Sequence, residues 1–395
     1  MIARIVLLLL AIVLLPQLYI DLRRRRKLWV RLLSWILTLL MTVWTVLLAR
    51  GNDFVPDDMT AVNIYLLVFC AWFVPKAVYA LCSVIGRVVM KLRRKRQNWG
   101  NLVGLVLAFF VSYIVLYGSF IGVRKLNVKR VEISLKNLPE GFDGYKIVFF
   151  SDAHVGSFTG WRKSLLQRDV DSINAQQADV ILYGGDLQNL RPSEVYPVMD
   201  ILRQLKAPDG VYSVLGNHDY GLYTHDDPAV KVANERELQS RQQQMGWKLL
   251  MNGASPLTPL RKERGTLKGK GRLVIAGMEN YGLWKESQRG DLAKTLDSVG
   301  KDDCVILLQH DPSAWKRKIL PEHRVALTLS GHTHGGQFSL FGQRFSQLWE
   351  EHDYGLFRDG DSQLLVSCGL GALLPFRFGM TAEIVVITLK VKSEE

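Results

Sequence analysis

The chain predicts a layered α/β domain, β-sheets flanked by helices, preceded by four transmembrane helices. Three observations predict it. The first 123 of 395 residues are mostly apolar and fall into four runs, each near the roughly 20 residues that cross a hydrocarbon core. From residue 124 onward, short β-branched runs alternate with polar helical stretches. Charge divides the chain at the same point: residues 1–123 carry 15 Lys+Arg against 4 Asp+Glu, net +11, which leaves +2 of the total +13 for residues 124–395. The expected domains are therefore a membrane anchor, 1–123, and an α/β domain, 124–395.

The four apolar runs cover residues 2–20, 28–49, 61–86 and 101–123. The basic residues between them are unevenly placed. Arg23 to Lys27 ("RRRRK") and Arg31 surround the first loop, and Lys91 to Arg96 ("KLRRKR") the third, whereas the second, "GNDFVPDD", has no Lys or Arg. The positive-inside bias puts loops one and three in the cytoplasm. The N-terminus and everything after residue 123 then fall on the periplasmic or extracellular side of the cytoplasmic membrane. A cleaved signal peptide fits poorly, because its positive charge precedes the apolar run and here it follows. Lys76, beside Pro75 in the third run, is an intramembrane charge that snorkels or faces the bundle interior.

The basic excess belongs to the membrane loops, so the α/β domain lacks the charge that binding to a nucleic-acid backbone requires. No nucleic-acid partner is expected; the bilayer is. Cys70 and Cys82 lie in the third span and Cys304 and Cys368 in or beside apolar runs. They form no disulfide framework. Without an inverted repeat, four spans also make a poor transporter.

In the second domain the runs "YKIVFF", "DVILYG", "VYSVLG", "RLVIAG", "CVILLQ", "VALTLS", "QLLVSC" and "EIVVITL" read as buried strands. Residues 161–177 and 193–207 read as helices. Five of the strand ends carry oxygen or imidazole groups: Asp152 and His154; Asp186; Asn217, His218 and Asp219; His310; His332 and His334. Each alone has an ordinary explanation as a helix cap, a turn residue or a satisfied polar group. All five together, at the strand ends where α/β sites form, point to a metal centre. The glycines of "GHTHGGQ" allow close backbone approach and positive φ around His332 and His334, and in extended chain side chains two apart point the same way.

The order "SDAH", "GGD", "GNHD", "LLQHDP", "GHTHGGQ" resembles the calcineurin-like metallophosphoesterase superfamily over residues 127–390. With its ending from Gly369 to Leu389, the chain looks similar to the membrane-associated bacterial branch. The resemblance implies a metallophosphoesterase sandwich with two divalent ions. It gives Asp152, His154 and His334 to the first ion, Asp186 to both as a bridge, and Asn217, His310 and His332 to the second. His218 would be the non-ligand histidine that contacts the phosphate and helps protonate the leaving group. Where many members have a second aspartate that orients this histidine, Asn189 stands here. Its amide oxygen is expected to accept the ring N–H without supplying charge, with Asp219 as the other source of a carboxylate.

The ligand chemistry agrees. Two cations roughly 3.5–4 Å apart neutralise phosphoryl oxygens and activate a bridging hydroxide, and imidazole with carboxylate suits Mn, Fe, Co, Ni or Zn. The expected function is a membrane-anchored phosphoesterase acting on a phosphodiester or phosphoanhydride, with a lipid-linked or cell-envelope substrate. Two alternatives remain open: a cytoplasm-facing hydrolase of a nucleotide-linked lipid A precursor, and a catalytically silent metal-bound scaffold.

Overall fold

The computed structural model describes residues 2–23, 26–50, 59–257 and 271–392. It divides into two compact units, Met1–Gly122 and Val123–Glu395. The loop at 51–58, which the charge argument places outside, lies beyond the described residues, as do Arg24 and Arg25.

The first unit contains α1 (Ile2–Arg23), α2 (Leu28–Arg50), α3 (Thr60–Val68), α4 (Val74–Leu92) and α5 (Gly100–Phe120), with a π-turn at Phe69–Phe73 joining α3 to α4. Among the described residues four stretches are long and apolar enough to cross a membrane: Arg4–Arg23, Leu28–Arg50, Thr60–Leu92 and Gly100–Arg124. The π-turn has a cause. Pro75 has no N–H for the carbonyl of Ala71 and crowds it; that carbonyl accepts instead from Ser112 Oγ on α5 at 3.0 Å. Lys76 faces the bundle interior, donating to Gln17 Oε1 at 2.6 Å, an oxygen that also accepts from Ser34 Oγ at 2.7 Å. Arg26 and Arg31, flanking the first loop, pair with Asp21.

In the second unit the elements run β1 (Leu126–Leu135), β2 (Lys146–Phe150), α6 (Lys163–Asn174), β3 (Val180–Tyr183), α7 (Met199–Leu202), β4 (Val211–Ser213), α8 (Pro228–Gln244), β5 (Trp247–Leu249) and β6 (Gly253–Leu257). They continue with β7 (Leu273–Gly277), α9 (Leu292–Thr295), β8 (Cys304–Leu308), β9 (Leu327–Ser330), β10 (Ser339–Leu340), β11 (Gln343–Arg344), β12 (Gly355–Asp359), β13 (Ser362–Val366) and β14 (Ala382–Val391). One six-stranded sheet has the order β1-β14-β2-β3-β4-β5, the other β12-β13-β9-β8-β7-β6.

Period-two burial builds the layers. From β2, Ile147 and Phe149 face the core between the sheets, where they join Leu182, Ile275, Ile306 and Leu329. The alternate residues Val148 and Phe150 face outward, onto Leu166, Val170 and Ile173 of α6. On the far side Val305 and Leu307 of β8 pack on Leu292, Trp315 and Ile319. The result is a sandwich of two sheets with helices outside, and all eight apolar runs are strands in it.

One helix differs from the expectation. Residues 193–207 form 3-10 turns at Pro192–Glu194 and Tyr196–Val198 and only one α-turn, α7. Pro197 lies inside the expected helix, where it removes an N–H and crowds the preceding turn. The four cysteines are free.

Candidate metal centre

The C-terminal ends of β2, β3 and β4 in one sheet meet those of β8 and β9 in the other, and the polar strand ends converge there. His334 Nε2 lies 3.6 Å from Asp152 Oδ1, and His154 Nε2 lies 3.6 Å from Asp186 Oδ2. His310 Nε2 is 3.1 Å from Asp186 Oδ2 and 4.0 Å from Asp152 Oδ1. Asn217 Oδ1 sits 2.8 Å from His332 Nδ1. Ligand-capable atoms gather as Asp152–His154–His334 and as Asp186–His310–His332, and a third group joins His154, Asp186 and His218. Asp186 and His154 each belong to two of the three groups, and Asp186 Oδ2 lies between His154 and His310.

The backbone bends to achieve this. Asp152, His154, Asp186, His332 and His334 all have positive φ, from 44° to 71°. L-residues enter that region at a cost, and such strain collects at functional sites. The turn also separates the two histidines of "GHTHGG": instead of sharing a direction as in extended chain, His332 turns toward Asp186 and Asn217, and His334 toward Asp152. Gly331 is needed for close approach, since a Cβ there would lie 2.1 Å from Asp152 Oδ2.

The donor set fits a cation. Among the described residues His154 Nδ1 and Nε2 and His334 Nδ1 are buried ring nitrogens without a hydrogen-bond partner, an expensive arrangement unless an ion takes a lone pair of each ring, and His310 Nε2 has the Asp186 carboxylate 3.1 Å away. His310 Nδ1 lies 2.8 Å from the Gly184 carbonyl, a contact that places the proton there and leaves Nε2 as the ligand atom. Burial, with His218 close by, holds His154 well below the usual histidine range, and burial brings His334 down to about 4. Both stay neutral and able to bind metal at neutral pH. Burial alone would also lower His310, but the carboxylates of Asp186 and Asp152 raise it to about 10. Burial would raise Asp186, yet His310 and His218 hold it well below the ordinary carboxylate range.

Around these groups the structure corrects one expectation. His218 Nδ1 does meet Asn189, but at the main-chain carbonyl, 2.6 Å away. The Asn189 side chain turns instead toward Ser157 Oγ, with Nδ2 at 3.4 Å. The reason is the loop after β3, where Glu194 accepts the main-chain N–H groups of Asn189 and Leu190 and so presents a carbonyl to the ring. Asp219 is no substitute charge for His218. Its carboxylate accepts four main-chain N–H bonds, from Asp186, Leu187, Gln188 and Gly216.

Two further residues stand at the site without a sequence pattern that announces them. Tyr223 accepts a hydrogen bond from Asn217 Nδ2 at 2.8 Å and lays its ring 4.4 Å from that of His218. Asp311 Oδ2 approaches His332 Nε2 to 3.6 Å. The only sequence signal for Asp311 was its place next to His310; Tyr223 sits in a turn with no pattern of its own.

Comparison with known proteins gives the family likeness of the chain. Residues 145–336 match the family described as calcineurin-like phosphoesterase, and residues 3–123 match the transmembrane domain of a probable calcineurin-like phosphoesterase. The metallophosphoesterase YkuE of Bacillus subtilis is 30% identical over 311 residues, 76% of this chain and 99% of its own. A transmembrane protein with metallophosphoesterase domain from Danio rerio is 29% identical over 343 residues, 84% of this chain and 73% of its own. Among solved structures, a dimetal phosphatase from Danio rerio covers 57% of this chain and 87% of its own at 13% identity, with a TM-score of 0.33.

Proposed function

Because this chain belongs to the calcineurin-like metallophosphoesterases, and is thus a metal-dependent phosphoesterase carried in a membrane, we propose that it cleaves a lipid-linked or cell-envelope phosphodiester or phosphoanhydride outside the cytoplasm. The observation that carries this reading is the set of histidine ring nitrogens facing carboxylates at the strand ends, with both ring nitrogens of His154 buried and without a hydrogen-bond partner. We assign Asp152, His154 and His334 to one divalent ion, Asn217, His310 and His332 to a second, and Asp186 to both. Such a pair of ions supplies charge neutralisation of the phosphoryl oxygens and a nucleophile at neutral pH.

The chain's own groups do the rest. His218 is held with its Nδ1 proton on the Asn189 carbonyl, so Nε2 is the atom that passes a proton to the leaving oxygen. Burial lowers its affinity for that proton, and a carbonyl offers no full charge to restore it. Leaving groups that need little protonation, such as those of anhydrides and aryl diesters, suit this site best. Main-chain N–H groups fix the carboxylates: His332 donates to Asp152 and His218 to Asp186.

The outer location is supported by Arg23 to Lys27 and Lys91 to Arg96 flanking loops one and three. The test is an assay of the purified full chain with Mn, Fe, Co, Ni or Zn against phospholipids, nucleotides and sugar phosphates. Metal-dependent diester or anhydride hydrolysis that disappears in His310→Ala is expected; no hydrolysis with any metal sinks the reading. A reporter fused after residue 395 should be active outside the cytoplasm. Activity only in the cytoplasm overturns the topology and favours a nucleotide-linked lipid substrate.

A further inference from the structure

We propose that the catalytic unit has a bilayer-docking surface, the tip of the β10–β11 hairpin and the turn after it, which seats in phospholipid beside the metal centre. It rests on the reading of a lipid-linked substrate above and names the surface that would bring the site to it. Phe341 is 93% exposed, Phe345 56%, Leu348 75% and Trp349 62%. Four large apolar side chains exposed within nine residues form a patch of the kind that marks an interaction site. The turn is also made for display. Phe341 has φ 52° and the next residue, Gly342, φ 79°, a pair of positions that favours Asn-Gly. A phenylalanine there is strained and points into solvent.

The neighbours of the hairpin say what the occupant is. Ser339 N–H donates to the Phe378 carbonyl at 2.7 Å, and Gln337 Nε2 donates to the carbonyls of Leu374 and Phe376 at 3.1 and 2.7 Å. Pro375, Phe376 and Arg377 of that same segment line a small cavity with Val123. Val123 follows the end of α5, Phe120, by three residues, a stretch of chain no longer than about 10 Å. By chain length alone, the end of α5 is therefore covalently tethered within about 10 Å of Val123. Trp161, 46% exposed, adds the chemistry of a membrane interface, with the guanidinium groups of Arg124 and Arg162 at 4.5 and 5.9 Å from its ring. The hairpin begins five residues after His334, so docking its tip would hold the metal centre close to the plane of the headgroup phosphates.

The test uses the full chain in nanodiscs of phosphatidylcholine and phosphatidylglycerol, with Phe341 replaced by the photoreactive p-benzoylphenylalanine. After irradiation and digestion, mass spectrometry should find a phospholipid adduct on the peptide that carries position 341. The same replacement at exposed Lys136, just past the end of β1 opposite Leu126, should give none. Absence of a lipid adduct at 341, or a crosslink there to a second copy of the chain, overturns the proposal. The double variant Phe341→Ser/Trp349→Ser should lose the adduct-forming contact when the probe is moved to Phe345, while its hydrolysis of bis(p-nitrophenyl) phosphate in detergent stays at the wild-type rate. A chain that forms the adduct but hydrolyses no phosphodiester keeps the surface and sinks the enzymatic reading. An active chain without the adduct does the reverse.

Discussion

Replacing Asp219 with asparagine should destabilise the catalytic unit by about 2–6 kcal/mol and weaken metal binding, although the side-chain shape hardly changes. Each carboxylate oxygen accepts two main-chain N–H groups: Oδ1 those of Leu187 and Gln188 at 2.9 and 3.2 Å, Oδ2 those of Asp186 and Gly216 at 2.8 and 2.9 Å. In asparagine one end is an NH2 group, and whichever way the amide turns it faces two donors. Asp219 is fully buried, so water cannot rescue them. Two unsatisfied buried N–H groups at about 1–3 kcal/mol each give the range stated. Set against a whole-domain stability of about 5–15 kcal/mol, that is a large loss. Burial, with the charge of Asp186, pushes Asp219 up to about 7, so the comparison belongs near pH 8, where the wild-type carboxylate is ionised. Denaturant titration in detergent, followed by near-ultraviolet circular dichroism, reads the stability; metal analysis after dialysis reads the site. A variant within about 0.5 kcal/mol of wild type, the level of an ordinary surface change, with its metal content unaltered, would refute the reasoning.

Asp186→Ala should strip both ions and abolish turnover, because its carboxylate faces His154 and His310 at once; metal analysis showing two ions retained rules out the bridge. His218→Ala should keep both ions and lose roughly 10²–10⁴-fold in rate, the usual yield of a general acid; metal loss in this variant means that His218 is a ligand. Asn189→Asp should leave the leaving-group dependence and the pH profile close to wild type, since His218 meets the main-chain carbonyl and the side chain faces Ser157; an upward shift of the basic limb means that the side chain reaches the ring during catalysis. Tyr223→Phe removes the acceptor for Asn217 Nδ2 and should weaken metal affinity about tenfold, measured by competition with a chelator; unchanged affinity removes Tyr223 from the site.

The eight strands legible in the sequence are the interior strands of the two sheets: β14, β2, β3 and β4 in one, β13, β9, β8 and β7 in the other. Buried on both faces, they read as unbroken apolar runs. Of the six the sequence did not reveal, β1, β5, β6 and β12 are the edges of the two six-stranded sheets, and β10 and β11 are the two-residue strands of a separate hairpin. Edges are partly solvated, and strands such as β1, "LNVKRVEISL", mix charge with β-branched residues. The helix expected at 193–207 failed for a local reason, since apolar spacing suggested it while Pro197 prevented it.

Residue order alone reveals the apolar membrane stretches, the buried strands and the groups that end them, because length, apolarity and motif order are properties of residues along the chain. It also named the seven candidate ligands. Only the tertiary structure decided which of them face one another, since left-handed turns at Asp152, Asp186, His332 and His334 aim side chains in directions that spacing cannot encode. In the same way it decided that His218 meets a carbonyl of Asn189 rather than its amide, and that Asp219 holds two loops together. Those are contacts to main-chain atoms, which every residue carries, so no residue type announces them; they exist only once the strands of both sheets have brought their ends to one place.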